Sequence, residues 1–181
     1  MEKMITKVLK LELFEYVVYK LDQWYRETNN GKPLQITKLR LQKVLFLLCA
    51  VNANKEKKGL LTIFTNFAAL PLGPVEMDVY DAMNSNKFVH IHFNENDCVL
   101  EKMNDDTFSS IEKSYKELVD KAIIALRSKN RNYLVMPIYE LVELTHLWSA
   151  WKTAQMMGEI IGRERVKISA NEICDSIIKA Y

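Results

Sequence analysis

Apolar residues recur mostly at helical spacing along this chain, and one short stretch alternates instead. From about Lys7 to Arg26, Leu9, Leu13, Val17, Leu21 and Trp24 fall three or four apart. Phe14, Val18 and Tyr25 widen the stripe, which predicts an amphipathic helix with a broad buried face. Asn29-Asn30-Gly31-Lys32-Pro33 ends it, because Gly tolerates a left-handed cap and Pro cannot continue the hydrogen-bond ladder. A second helix is expected after Ile36, with the Thr37 hydroxyl accepting an otherwise unbonded backbone N–H as N-cap. Leu41, Val44, Leu45 and Leu48 form one side of it, while Leu39, Phe46 and Leu47 make the later turns apolar nearly all round. That pattern predicts a central position. Its first two turns carry Lys38, Arg40, Gln42 and Lys43, a basic start at the positive end of the helix dipole. The charges of these side chains are expected to reach solvent.

Asn52 to Gly59 reads as a polar connection, and Leu60 to Phe67 is compatible with either helix or a short strand around Thr62-Ile63-Phe64-Thr65. In Leu70-Pro71-Leu72-Gly73-Pro74-Val75, two prolines bracket a glycine, and the residue before each proline is pushed towards extended geometry. This predicts a rigid segment, with Pro74 in the first turn of a helix covering Val75, Met77, Val79, Tyr80 and Met83. Phe88 to Phe93 alternates as a strand does, and Cys98 to Met103 is its expected hairpin partner. Asp105 or Asp106 is expected to cap a helix carrying Ile111, Tyr115, Leu118, Ala122 and Leu126. Further helices are predicted from near Pro137 towards His146, and from Trp151 to Ile161 with Gly162 as terminator. Ser169-Ala170-Asn171-Glu172 fits a capping box, with Ile173, Ile177 and Tyr181 following on one face. The whole chain, residues 1–181, is expected to form one compact, mainly α domain with a small β-hairpin or short β element.

Composition changes this picture little. Five Gly and four Pro in 181 residues argue against a turn-rich barrel, and 25 basic against 23 acidic side chains leave a formal charge of only +2. So weak an excess makes nucleic acid an unlikely partner. The runs Lys55-Glu56-Lys57-Lys58 and Arg163-Glu164-Arg165 are mixed and read as solvated. Cys49, Cys98 and Cys174 are odd in number and widely spaced, which suits free thiols in a reducing cytoplasm. No stretch approaches the roughly 20 apolar residues of a membrane helix, so a cytoplasmic chain with no membrane partner is expected.

Residues with chemistry are few. His90 and His92 lie two apart on the predicted strand, but no motif supplies a third ligand, so no metal is expected. His146 has Glu143 three residues before it, an ordinary helical spacing. Its expected role is to hydrogen-bond a backbone carbonyl and fix the approach to Trp151. Phosphate loops, nucleophile–base pairs and diagnostic carboxylate pairs are absent, so neither a catalytic residue nor a cofactor is expected. Trp24 continues the first apolar stripe and reads as core, whereas Trp148 and Trp151 flank a helix junction where one can stay partly exposed.

Three segments together carry a family resemblance. Ile36-Thr37-Lys38-Leu39-Arg40-Leu41-Gln42-Lys43-Val44-Leu45 is similar to the Leu-Gln-Lys helix of the Panacea-type, SocA-like antitoxin domains. Ala69 through Val75, with Tyr80 downstream, resembles that family's Gly-Pro-Val segment, and Leu144-Thr145-His146 followed by Trp151 resembles its Thr/Ser-His element. Leu70, Leu72 and Ala150 depart from the family's usual Trp, aromatic and Pro. The resemblance implies a mainly helical antitoxin that binds a cognate toxin, encoded by a neighbouring gene, without covalent chemistry. The alternative it allows is a proteolytic adaptor or phage-borne interaction protein that delivers a client to a host protease, with a DNA-binding regulator a less favoured third. It also marks Lys38, Gln42, Lys43, Gly73, Pro74, Val75, Tyr80, Thr145, His146 and Trp151 as candidate partner-binding or motif residues.

Overall fold

The computed structural model describes residues 5–177. In chain order the elements are α1 (Lys7–Thr28), β1 (Ile36–Thr37), α2 (Lys38–Ala50), β2 (Phe67–Leu70), β3 (Gly73–Glu76) and α3 (Met77–Asn84). They continue with β4 (Ile91–Asn94), β5 (Asp97–Leu100), α4 (Lys113–Lys129), α5 (Ile138–His146), α6 (Ser149–Ile161), β6 (Val166–Ile168) and α7 (Ala170–Cys174). The fold is mainly helical with two three-stranded sheets, ordered β1-β5-β4 and β3-β2-β6, whose paired strands are all antiparallel. The second sheet, closed by β6 pairing Val166–Ile168 with β2, exceeds the single hairpin expected.

Most of the predicted helix ends are present. The Thr6 hydroxyl accepts the Leu9 N–H at the start of α1, and Thr37 accepts the Arg40 N–H at the start of α2. Ser169 and Glu172 form the reciprocal capping box of α7, and Gly162 ends α6 in left-handed geometry at φ +67°. Every residue of α2 from Leu41 to Ala50 is buried, as its all-round apolar pattern implies. Around it, Leu60, Leu61, Ile63 and Phe64 pack into the core from and beside a 3-10 turn at Gly59–Thr62, so no strand forms in that stretch.

Four expectations need correction. Pro74 lies in β3 opposite Ala69, and α3 begins only at Met77, because the Glu76 carboxylate accepts the Val79 N–H and supplies the cap. The Phe88–Phe93 strand starts late, at Ile91, since the backbone N–H groups of Val89, His90 and Ile91 all donate to the buried Glu15 carboxylate. Asn104 caps a short 3-10 turn at Asp105–Phe108, while the long helix starts separately at Lys113. Ile177 lies beyond α7 and is 90% exposed, so it does not extend the Ile173 face, and Tyr181 lies outside the described residues. On α6, Met156, Met157, Ile160 and Ile161 are exposed.

Candidate functional groove

The motif residues meet around the β2–β3 hairpin, starting from the backbone of β3. Pro71 and Leu72 make the turn, and Gly73 follows at φ +100°, a region that favours glycine. Gly73 is also approached closely. A Cβ there lies 2.5 Å from Thr145 Oγ1 and 3.1 Å from Lys43 Nζ, so only a bare Cα fits without movement. Thr145, fully buried on α5, turns its hydroxyl to the Val142 carbonyl at 2.8 Å.

β3 is an edge strand, yet the outward hydrogen-bonding groups of Pro74 and Glu76 are occupied by side chains of α2. Gln42 accepts the Glu76 N–H at 3.0 Å and donates to the Glu76 carbonyl at 3.4 Å. Lys43 donates to the Pro74 carbonyl at 2.9 Å, and Pro74 has no N–H to satisfy. An edge strand left open is a template for pairing with another chain. Here a Gln-Lys pair on a helix closes that edge. The expectation that the Lys43 charge reaches solvent is therefore wrong: its side chain is 0% exposed, because the hairpin and α5 close over it. Burial pushes its pKa down to about 7.

His146 and Trp151 form a second cluster on the other side of the hairpin. Their rings stack at 3.8 Å between centroids and 7° between planes, and the Trp151 indole N–H donates to the Leu70 carbonyl at 3.0 Å. His146 Nδ1 sits 3.5 Å from Glu143 Oε1, while Nε2 is buried without a hydrogen bond of ordinary geometry. Stacking and a backbone contact with Pro71, the kind of carbonyl bond expected of His146, together fix the approach to Trp151. Burial lowers the His146 pKa, with Glu143 opposing that effect and the nearby Lys43 adding to it. Of the other two tryptophans, Trp24 and Trp148 are core.

A groove of about 480 Å³ opens where α2, the hairpin turn and α3 meet. Lys38, Gln42, Lys43, Val75 and Tyr80 line it, together with hairpin residues from Leu70 to Leu72. Gly73, Pro74, Thr145, His146 and Trp151 lie behind it as bracing. The Lys38 ammonium reaches Asn84 Oδ1 at 3.3 Å and lies 5.7 Å from the Phe93 ring centre. The Arg165 guanidinium, outside the groove lining, lies 5.9 Å from the Tyr80 ring centre.

The sequence reading missed the charged network beneath this groove. Glu76 is 0% exposed, and its Oε1 accepts Lys10 Nζ at 2.8 Å and the Asn66 N–H at 3.2 Å. Lys10 also meets Asp78 Oδ2 at 2.6 Å. A signal was present: Lys10 stands on the stripe of Phe14, Val17, Leu21 and Trp24, where an unpaired charge is costly. No acid near it in sequence answers that charge.

A model of the family described as "Antitoxin SocA-like, Panacea domain" matches residues 41–152, more than half of the chain. The chain belongs to the SocA-like Panacea antitoxin family. The matched span holds the hairpin, α3, α5 and, of the ten candidate residues named above, all but Lys38. No curated protein and no solved structure matches the chain. Among the described residues no group of three or more His, Cys, Asp or Glu is placed to hold a metal ion. His92 Nε2 instead meets Glu101 Oε1 at 2.8 Å, just beyond the paired strand β5. No helix among the described residues is long and apolar enough to cross a membrane. Membership of this family supports a general antitoxin, protein-interaction role.

Proposed function

We propose that this protein neutralises a cognate toxin by direct non-covalent binding, using the face formed by the start of α2, the β2–β3 hairpin and α3. The observation that carries the reading is the family match over residues 41–152, which spans the hairpin and helices that frame the groove. The geometry supports recognition by side chains. With the outer edge of β3 closed by Gln42 and Lys43, a partner does not bind there by adding a strand. Leu72, at the hairpin tip, is 55% exposed and offers an apolar contact beside the groove.

The test is co-expression with the product of the neighbouring gene, read as growth rescue and as co-purification of the two chains. Rescue with a stable complex is the expected result. Growth inhibition that persists, with no complex recovered, overturns the antitoxin reading. A stable complex without rescue overturns neutralisation while keeping binding.

A further inference from the structure

The groove has an unusual charge balance. Its lining includes two ammonium groups, Lys38 and Lys43, and no acidic side chain. Leu39, Pro71, Leu72 and Val75 supply apolar wall, and the remaining polar lining is neutral. Lys43 stands out within it. An ammonium has three N–H donors, and the one hydrogen bond Lys43 makes among the described residues goes to the Pro74 carbonyl. No carboxylate of the described residues pairs with it, although it is fully buried. Buried ammonium groups are ordinarily matched by an anion with further hydrogen bonds. Lys10 is so matched, by Glu76 and Asp78.

The volume, about 480 Å³, suits a short segment of chain or a ligand of comparable size. Two cations in a largely apolar trough are too few for a nucleic-acid backbone, which demands a run of phosphate contacts. They suit one carboxylate with an apolar neighbour.

We propose that this groove receives a short segment of the toxin carrying a carboxylate, either an acidic side chain or the chain's C-terminus. The carboxylate pairs with Lys38 at the mouth, above the Lys43 ammonium that lies covered beneath the lining, and an adjacent apolar side chain packs on Leu72 and Val75. This rests on the toxin-binding reading and specifies its chemistry. A carboxylate seated there acts on the covered Lys43 through space, so binding raises the proton affinity of Lys43 and takes up protons near neutral pH. From the elements around it, Lys38 on α2 adds positive charge and His146 on α5 is held towards its neutral form by burial, while Glu143 contacts His146 and Glu76 pairs with Lys10, neither with Lys43.

The experiment uses the full chain and the neighbouring gene's product. Lys38→Glu, at a partly exposed position, is expected to keep the fold by circular dichroism and to weaken toxin binding by about tenfold or more. Leu72→Cys carrying a photo-crosslinker is expected to label a toxin segment that contains Asp, Glu or the C-terminus. Reversing that toxin carboxylate to Lys is expected to restore binding to Lys38→Glu. Calorimetry in buffers of different ionisation enthalpy is expected to show proton uptake at pH 7.5 that disappears in Lys43→Met.

If the wild-type chain binds and rescues while Lys38→Glu binds equally well, the groove proposal is overturned and the antitoxin reading stands. If the crosslinks land on a segment without a carboxylate, the proposal is likewise overturned. Co-purification with nucleic acid in place of protein, lost in Lys38→Glu, overturns both readings.

Discussion

Lys10 on α1 and Lys43 on α2 are both buried lysines that reach β3 or its end, yet their surroundings differ in kind. Lys10 lies between two carboxylates, Glu76 at 2.8 Å and Asp78 at 2.6 Å. Burial lowers its pKa, but the hydrogen bonds and charges of Asp78 and Glu76 outweigh that, and the net shift is upward. Lys43 has one backbone carbonyl at 2.9 Å, and burial acts on it unopposed. The two sites therefore contribute to the folded state with opposite sign. Lys10 completes a network that holds α1 against the start of α3, whereas Lys43 closes a strand edge at an electrostatic cost. A buried charge that is fully answered explains itself as structure. One that is not answered marks a place where another molecule has something to add.

The largest effect expected from this contrast is in Lys10→Met. It strands Glu76, 0% exposed, with only the Asn66 and Val79 N–H groups for partners. Breaking a buried pair from one side costs about 3–5 kcal/mol, measurable by urea denaturation. A loss near that of a surface substitution contradicts the view that Lys10 is the completed site.

Gly73→Ala tests the other side. Its Cβ meets Thr145 Oγ1 at 2.5 Å and Lys43 Nζ at 3.1 Å, at a backbone φ of +100°. Overpacking of this kind costs about 1–3 kcal/mol. Adding Thr145→Ala removes the nearest atom and is expected to recover part of that loss. A strictly additive double variant shows that the strain comes from the backbone angle alone.

What was legible in the sequence was the local part of this arrangement. The helical stripes, the Thr37 cap and the Ser169–Glu172 box depend on residues within a turn of each other, and they stand as expected. Pro74 is compatible locally with a helix start or a strand. The choice was made by Glu76 capping α3 two residues later and by Gln42 and Lys43 binding the strand from α2. The burial of Lys43 depends on a hairpin thirty-one residues away, and that of Lys10 on an acid sixty-six residues away. The place of Lys10 on the apolar stripe signals the need for a partner, but nothing local names the partner of either lysine. The resemblance in Leu41-Gln42-Lys43 and Gly73-Pro74-Val75 marked both ends of the contact without showing that they touch.

The pH dependence of stability separates the two lysines without a partner. In the folded chain Lys43 titrates at about 7, against an ordinary 10.5 when unfolded. Between those values the unfolded state holds a proton that the folded state has released, so stability rises with pH across that window. The cost is fully present below about 7. For one such group the gain between pH 7 and 8 is about 1 kcal/mol, and Lys43→Met is expected to abolish it. Lys10 has the opposite dependence: its raised pKa gives stability that is present below 10.5 and lost as pH rises through the folded value. A flat profile for the wild type from pH 7 to 8 removes the claim that Lys43 is buried without a counter-charge.

The smallest effect uses the same acid with a different lysine. Asp78 meets Lys10 Nζ at 2.6 Å through Oδ2 and Lys7 Nζ at 3.5 Å through Oδ1. The Lys10 side chain is 7% exposed and that of Lys7 is 56% exposed, so the two pairs share an acceptor and differ in solvation. Water and salt screen the Lys7 pair, and ordering its long side chain offsets what attraction remains. Lys7→Ala is expected to change stability by no more than about 0.5 kcal/mol. The same denaturation series that reads Lys10→Met measures it. Raising the salt concentration is expected to erase even that difference while leaving the Lys10→Met loss nearly intact. Equal losses in the two variants mean that Asp78 sets the energy of the network whatever the burial of its partner, and the distinction between answered and unanswered buried lysines then loses its basis.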